Sequence, residues 1–377
     1  MQKPVHINWG PVIFLISYQV ILLALLPFYF YYNTPALGTL IMTVVLLYAT
    51  GLSITGGYHR HYSHRSYKTN IFIEAILLFF GAMAAQGSAL RWSFDHRIHH
   101  AHVDTDEDPY SIKKGFWYAH CLWIWEKPRT IETKIVPDLL KNKLVMFQHK
   151  HYKALMIGSN AFVVILFGWL FNDFLGAFTL ICWLRMFILH HFTWFINSLA
   201  HIWGDKPFCQ ELSAVDNYFL SILTFGEGYH NYHHTFANDY RNGIRWFHFD
   251  PTKWLIWTLH KLGLAHGLKQ MDPLTIEKRI VIESKIVLLE QIKKTCSEKK
   301  TELEKTVHEM SEQIVAKIAQ FNKLKQEYLE YKQKQMERTL IKQLRHEIKD
   351  LKRSLRQDWR RWVNLSKDIM RLEPLPA

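Results

Sequence analysis

From Pro4 to Tyr58 the chain holds no Asp, Glu, Lys or Arg. So long an uncharged stretch excludes the polar surface of a soluble domain and suffices for two helical crossings of about 30 Å of hydrocarbon. From Leu274 to Glu373 there is neither Gly nor Pro, which excludes a turn-rich fold there and fits long helix. Cysteine is scarce. Cys121, Cys182, Cys209 and Cys296 are widely spaced and none forms CxxC, which excludes an iron–sulfur signature and a disulfide framework. No zinc finger, RNA-recognition sequence or basic arm accompanies the net charge of +13, so nucleic acid is not the expected partner. No haem-binding HPGG segment occurs, and no cysteine-rich redox domain.

What is present divides in two. Hydrophobic residues make up 49% and aromatics 15%, yet charged residues still reach 21%, so an apolar part is joined to a highly charged one. Pro11–Tyr32 and Pro35–Gly56 form one pair of apolar runs joined by Asn33-Thr34; Ala154–Phe171 and Phe174–Ile196 form a second, joined by Asn172-Asp173. Basic residues concentrate between the pairs, from Arg60 to Lys143. The positive-inside rule then places that stretch, the N-terminus and everything after Ile196 in the cytosol. The expectation is a multi-pass protein of the bacterial inner membrane or the endoplasmic reticulum whose first apolar run is a retained span, not a cleaved signal.

Ile71–Leu90 is apolar too, but a crossing there would put the histidines before and after it on opposite membrane faces. It is expected to lie on or dip into the inner leaflet, buried against protein. The fold expected is all-α and integral to the membrane: four transmembrane helices in two hairpins under a cytosolic helical cap over residues 1–272, then a charged, coiled-coil-like helical extension over 273–377. In the extension Leu303, Val307, Met310, Ile314, Phe321, Leu324, Tyr328 and Tyr331 keep 3-4 spacing, with Lys317 in one seam position. That pattern fits either a solvated helical tail with one packing stripe or an arm for self-association or docking.

Three histidine clusters adjoin these segments: His59-Arg60-His61-Tyr62-Ser63-His64, His96-Arg97-Ile98-His99-His100 and His230-Asn231-Tyr232-His233-His234. Imidazole is the commonest side-chain metal ligand, and a histidine-only set suits iron or zinc. Neutral imidazole also survives oxidising chemistry that would attack a thiolate. In the last two clusters the spacing i, i+3, i+4 puts three rings on one helix face. His201, four residues after Asn197, adds a candidate at the end of the fourth run. So many imidazoles exceed the needs of one ion and suit two. Asp95, Glu227 and Asn231 are candidates to hold the rings' second nitrogens. Arg185 falls within the fourth run and calls for a buried partner. Trp92, Trp117, Trp123, Trp125 and Trp194 fit either the wall of an apolar tunnel or an interfacial aromatic belt.

The segments GGYHRHYSHRSYK, WSFDHRIHHAHVDTDEDPYS, KKGFWYAHCLWIW, KLVMFQHKHYK, TWFINSLAHIWG and GEGYHNYHHTFANDYRNGIRW together resemble the membrane-bound fatty acyl desaturases, in their stearoyl-CoA Δ9-desaturase-like branch. The resemblance covers roughly residues 10–270. It implies a four-span mushroom-shaped fold and a non-haem centre of two Fe ions, with Zn able to replace them in purified protein because imidazole binds both. The family's nine histidine ligands fall on His59, His64, His96, His99, His100, His201, His230, His233 and His234, and its water-holding asparagine on Asn197.

The resemblance further implies an oxygen-dependent enzyme. It would take two hydrogens from adjacent methylenes of a saturated fatty acyl substrate, acyl-CoA or acyl-lipid, leaving a cis double bond, with Δ9 the expected position. Electrons are expected from a separate donor such as cytochrome b5, or ferredoxin and its reductase. Phe94 stands where animal acyl-CoA enzymes carry an arginine for the CoA phosphate, and Gly87 where they carry an asparagine of the same headgroup site. Lys113 and Lys114 are the cations expected to meet phosphates. Trp92 and Trp194 are expected beside the acyl chain. Leu47 and Gly51, four apart on one face of the second span, are expected at the tunnel's closed end, with Gly51 leaving room there. The same scaffold supports hydroxylases, and a histidine-rich metal-binding membrane scaffold is the non-enzymatic alternative. The extension lies outside the resemblance.

Overall fold

The computed structural model describes residues 6–295 and 299–372; Cys296 and Glu373 lie outside them. The chain forms two compact units, Met1–Lys206 with Glu211–Gln270, and Pro207–Gln210 with Met271–Ala377.

In the first unit, α1 (Trp9–Tyr32) and α2 (Leu37–Ser63) form a hairpin of apolar helices long enough to cross a membrane. Then come α3 (Ile71–Met83) and α4 (Ala89–His102). A second membrane-length hairpin follows, α5 (Tyr152–Leu170) and α6 (Phe174–His201), then the short α7 (His230–Thr235) and α8 (Pro251–Lys261). Strand structure among the described residues is confined to the antiparallel pair Lys68–Thr69 with Ala265–His266 and a few isolated bridges. Residues without charge have no alternative to helix in hydrocarbon, because every backbone group must be paired within the segment. The two hairpin turns meet: the Tyr29 hydroxyl, near the end of α1, donates to Asp173 Oδ2 at 2.5 Å, and Asp173 Oδ1 caps Gly176 N at 2.7 Å.

Both even-numbered spans run further than hydropathy alone places them. α2 continues seven residues past Gly56 as a π-helical stretch, Ser53–Ser63, and α6 continues to His201. His59 and His201 therefore ride on the spans themselves and not on loops after them.

α3 does not cross. At 1.5 Å per residue its length is about 20 Å, short of the hydrocarbon thickness. Asn70 caps its start by accepting from Ile73 N at 2.9 Å. Its far end is buried, where unpaired carbonyls would be costly. Asn160 Nδ2 donates to Met83 O at 3.1 Å, Arg185 Nη1 to the same oxygen at 3.4 Å, and His190 Nε2 to Ala84 O at 3.0 Å. Arg185 also donates to Asn160 Oδ1 at 2.5 Å and to Ile181 O at 3.0 Å. The arginine within the span thus finds neutral acceptors and closes the end of the buried helix.

The second unit holds α9 (Pro273–Lys293), α10 (Lys300–Gln333) and α11 (Arg338–Met370). Asp272 caps α9, accepting from Leu274 N and Thr275 N, with Pro273 in the first turn where its missing N–H costs nothing. The three helices share one apolar core that includes Val281, Leu288, Val307, Ile314, Ile318, Leu355, Trp362 and Ile369. Lys317, the polar interruption of the seam, donates to Asp358 Oδ2 at 2.5 Å and to Ser354 Oγ at 2.8 Å on α11. From Leu303 to Phe321 the stripe packs against helices of its own chain. Pro207–Gln210 joins this unit through Arg279 Nε to Phe208 O at 2.6 Å and Gln210 N to Glu283 Oε2 at 2.7 Å.

Candidate metal centre

The first cluster illustrates how local structure sets the site. His59 and His64 are five apart, and at α-helical pitch they would point about 140° away from each other. The π turn, with i→i+5 bonding, brings them to one side: His64 N donates to His59 O at 3.1 Å, and the ring centroids lie 4.8 Å apart. α4, capped by Ser88 on Arg91 N, carries His96, His99 and His100 on one face. On α7, Asp216 accepts from Tyr232 N at 3.0 Å and so anchors the turn bearing His230, His233 and His234. Burial raises the Asp216 pKa to about 7 against the opposing pull of those backbone N–H groups.

The nine histidines gather into two groups. His59, His64, His96, His100 and His233 form one; His99, His201, His230 and His234 form the other; within each, the ligand atoms lie within 4.8 Å of one another. His61 is elsewhere, its Nδ1 3.2 Å from Tyr67 O. Asn197 lines the adjoining cavity.

Four of the rings have a polar group beside their outer nitrogen. His59 Nδ1 lies 3.0 Å from Glu227 Oε2 and His99 Nδ1 lies 2.9 Å from Asp108 Oδ1. His201 Nδ1 donates to Ser213 Oγ at 2.6 Å, and that hydroxyl in turn donates to Asp104. His96 Nδ1 shares a 3.1 Å hydrogen bond with the Tyr110 hydroxyl. A carboxylate can only accept, so in each of these pairs the imidazole Nδ1 is the donor. The Nε2 atoms of His59 and His99 face inward, toward His233 and His234.

His233 Nε2 lies 3.0 Å from His59 Nε2 and 2.9 Å from His100 Nε2; His234 Nε2 lies 3.0 Å from His230 and 3.3 Å from His99. One ring nitrogen has a single proton or a single lone pair, so it cannot satisfy two such neighbours by hydrogen bonding. A cation at the focus of each group does. Protonation is no alternative. Burial first, then neighbouring imidazoles, hold His64, His96, His100, His230, His233 and His234 well below the usual imidazole range. The residues fit two histidine-bound metal ions.

Glu227 also ties the centre to its support. Its Oε1 accepts from Arg60 Nη2 at 2.9 Å, and Arg60 also reaches Asp250 Oδ1 at 3.0 Å and Tyr240 O at 2.8 Å. Burial alone would raise the Glu227 pKa, but Arg60 and His59 beside it hold the carboxylate below its usual range.

Of the three candidates for holding the rings' second nitrogens, Glu227 does so. Asp95 instead sits 3.4 Å from Arg91 Nη1, and Asn231 Nδ2 donates to Ala214 O at 2.9 Å. Asp108, the Asp104–Ser213 pair and Tyr110 were not singled out. Asp104, Asp108 and Tyr110 all lie in the segment HVDTDEDPYS just after α4, and that acidic density next to a ligand helix was the available signal.

Against the metal groups lies an apolar-walled cavity of about 790 Å³. His59, His96, Trp92, Ile54, Thr55, Met156, Ile157, Thr193, Trp194 and Asn197 line it, and Arg91, Asp95, Lys114, Glu126, Lys127, Arg129 and Lys153 stand among its charged lining residues. Trp92 stacks on His96 with centroids 4.8 Å apart. Burial raises the Asp95 pKa to about 6, with Arg91 opposing. Phe94 is fully buried, and the Arg91 guanidinium lies 5.3 Å from its ring centre.

Three of the expected substrate contacts lie outside this cavity. Lys113, Leu47 and Gly51 are not among the lining residues. Gly51 leaves no room: a Cβ there would run into the Phe225 ring. Leu47 packs on the same core that contains Phe225. The face of α2 that they share is used for helix packing, and the cavity begins at Ile54 and Thr55.

Residues 36–267 match the family described as fatty acid desaturase. The chain is 41% identical over 291 residues to a probable acyl-CoA desaturase of Schizosaccharomyces pombe, covering 75% of this chain and 59% of that one. It is 41% identical over 242 residues to acyl-CoA desaturase 1 of Saccharomyces cerevisiae, covering 63% and 47%. Over 274 residues it is 36% identical to a sn-2 palmitoyl-lipid 9-desaturase of Nostoc, covering 71% and 92%. The chain thus spans about half to three-fifths of the two yeast relatives' length.

Proposed function

Because the chain belongs to the fatty acid desaturase family, we propose that it is a membrane-embedded, oxygen-dependent acyl desaturase. Its product would be a cis double bond, at Δ9 as in the names of its lipid-acting relatives. The observation that carries the reading is the gathering of nine imidazoles, seven of them buried, in two groups, with His59 and His96 of one group lining an apolar-walled cavity. Two iron ions held by those groups would supply oxygen activation and the oxidising power to remove two hydrogens. In balance, two adjacent methylenes, one O2, two electrons and two protons give one alkene and two waters. The electrons would come from a separate carrier such as cytochrome b5 or ferredoxin with its reductase.

The protein's own part is placement. The aromatic and aliphatic wall made by Trp92, Ile54, Met156, Ile157 and Trp194 holds the acyl chain and excludes water. His59 and His96 present the reacting wall, and Asn197 offers an amide beside it. The charged lining carries five cations against Asp95, Glu126 and Glu227, the last of them paired with Arg60, which favours a phosphate-bearing headgroup. That charge suits CoA and phospholipid alike, so the headgroup's phosphate is the proposed recognition element. The cap and both termini are proposed to face the cytosol, on the strength of the basic stretch between the hairpins.

Expression in a desaturase-deficient host, followed by mass spectrometry of total acyl chains, tests the reading. Monounsaturated chains with a double bond at one position are expected. Hydroxylated chains, or an unchanged profile despite membrane insertion, would overturn it.

A further inference from the structure

The charge of the extension is not evenly spread. α10 carries six Lys and six Glu, while α11 carries ten Lys or Arg against four Asp or Glu, a net +6 of the chain's +13. All ten cations of α11 are exposed. At 3.6 residues per turn, Arg338, Lys342, Arg345, Lys349, Lys352, Arg353, Arg356, Arg360 and Lys367 fall within an arc of about 100°. Glu347, Asp350 and Asp368 fall on the opposite flank of the buried stripe, and Asp358 is turned inward to Lys317. Among the ten, Arg353 alone lies within 4 Å of a described carboxylate, Asp350 at 3.5 Å. Asp272 and Glu277 share a groove with Lys352, Arg356 and Arg360 without forming such a pair.

Like charges at i, i+3 and i, i+4 repel and weaken a helix. A stripe of nine, with the acids sorted to the other flank, is the pattern of a surface that meets an anion. We infer that this face of α11 is an electrostatic contact surface for the anionic phospholipid headgroups of the membrane in which the chain is embedded. Two features select lipid. The same polypeptide carries four membrane-length helices, so a bilayer is always present at high effective concentration. The apolar stripe of α11, with Leu344, Leu355, Trp362 and Ile369, is already buried in its own core. The helix therefore has no apolar face left to insert, and the contact is made by charge at headgroup level.

The test uses the full chain in lipid nanodiscs, either phosphatidylcholine alone or phosphatidylcholine with phosphatidylglycerol. A fluorophore at the exposed Asn364 reports energy transfer to a headgroup-labelled lipid. Transfer is expected to rise about twofold in the anionic discs and to fall back at about 0.5 M salt, where the screening length is only a few ångströms. The triple variant Lys349→Gln, Lys352→Gln, Arg356→Gln should lose most of the rise, with unchanged melting as the folding control. The salt arm stands without any variant. Equal transfer in the two discs at low salt overturns the inference and leaves a solvated face. Equal transfer combined with binding of a poly-glutamate peptide overturns it in favour of an acidic protein partner.

Discussion

Ser213 shows how single residues govern the site. Its hydroxyl accepts from His201 Nδ1 and is itself committed to Asp104, which fixes the ring with its Nε2 inward. Ser213→Ala leaves that proton unpartnered. Loss of such an orienting contact costs about 10–100-fold in metal affinity. After mild chelation, metal analysis should find the four-histidine group depleted while the five-histidine group stays loaded, so that the content falls from two per chain toward one. Asp95 makes a prediction in pH. With its pKa near 6, it is charged above that value and neutral below it. As pH falls through 6 the cavity loses a negative charge, so KM for a phosphate-bearing acyl substrate should fall, by about fivefold for a unit charge at about 4 Å with the screening of bulk water. Asp95→Asn should remove that step, leaving only the headgroup's own titration. The histidine clusters were legible in the sequence because imidazole spacing is local, and the fold brings nine of those rings into two groups that could each hold a metal ion. Ser213 was not, since twelve residues separate it from the ring it orients and no local pattern links them. At Gly51 an absent side chain looks like space in the sequence, and only the fold shows the Phe225 ring lying against it.

At the level of elements, two irregularities do the positioning. The π turn in α2 makes a five-residue histidine spacing work, and an unusual HxxxxH at the end of an apolar span was a readable sign of non-α geometry. The polar closure of α3 by Asn160, Arg185 and His190 was half legible: Arg185 called for a partner, but partners that are backbone carbonyls leave no trace in sequence. The extension was legible as helix and ambiguous in its pairing. A 3-4 stripe looks the same whether it faces another chain or a later helix of its own, and Lys317 and Asp358 are 41 residues apart. Lys317→Met tests the intramolecular pairing. It strands a buried carboxylate, which costs about 3–5 kcal/mol, so the extension should melt earlier. Lys317→Met with Asp358→Leu should recover most of the loss. If Lys317→Met alone leaves the melting unchanged, the pair does not form.

On the scale of the whole molecule, the metal ligands and the cavity all precede residue 271, and His201 is fastened by contacts within its own unit. Asp205 and Asp216 exchange backbone hydrogen bonds of 3.0 and 2.7 Å on one side, and Ser213 N donates to Asp104 at 2.7 Å on the other. Removing residues 271–377 should therefore leave a membrane-inserted protein that still binds two metal ions; loss of either would place the boundary elsewhere. Architecture was readable at this scale because hydrocarbon thickness and histidine convergence together leave few arrangements, whereas substrate and donor are written in surfaces that the sequence does not assemble. The most direct test of the central claim is oxygen stoichiometry in purified, iron-loaded protein supplied with reductant, carrier and a saturated acyl substrate. One O2 consumed per alkene formed, with both lost in His99→Ala and His233→Ala, is the predicted result; oxygen uptake that yields an alcohol, or none at all with two irons bound, would contradict it.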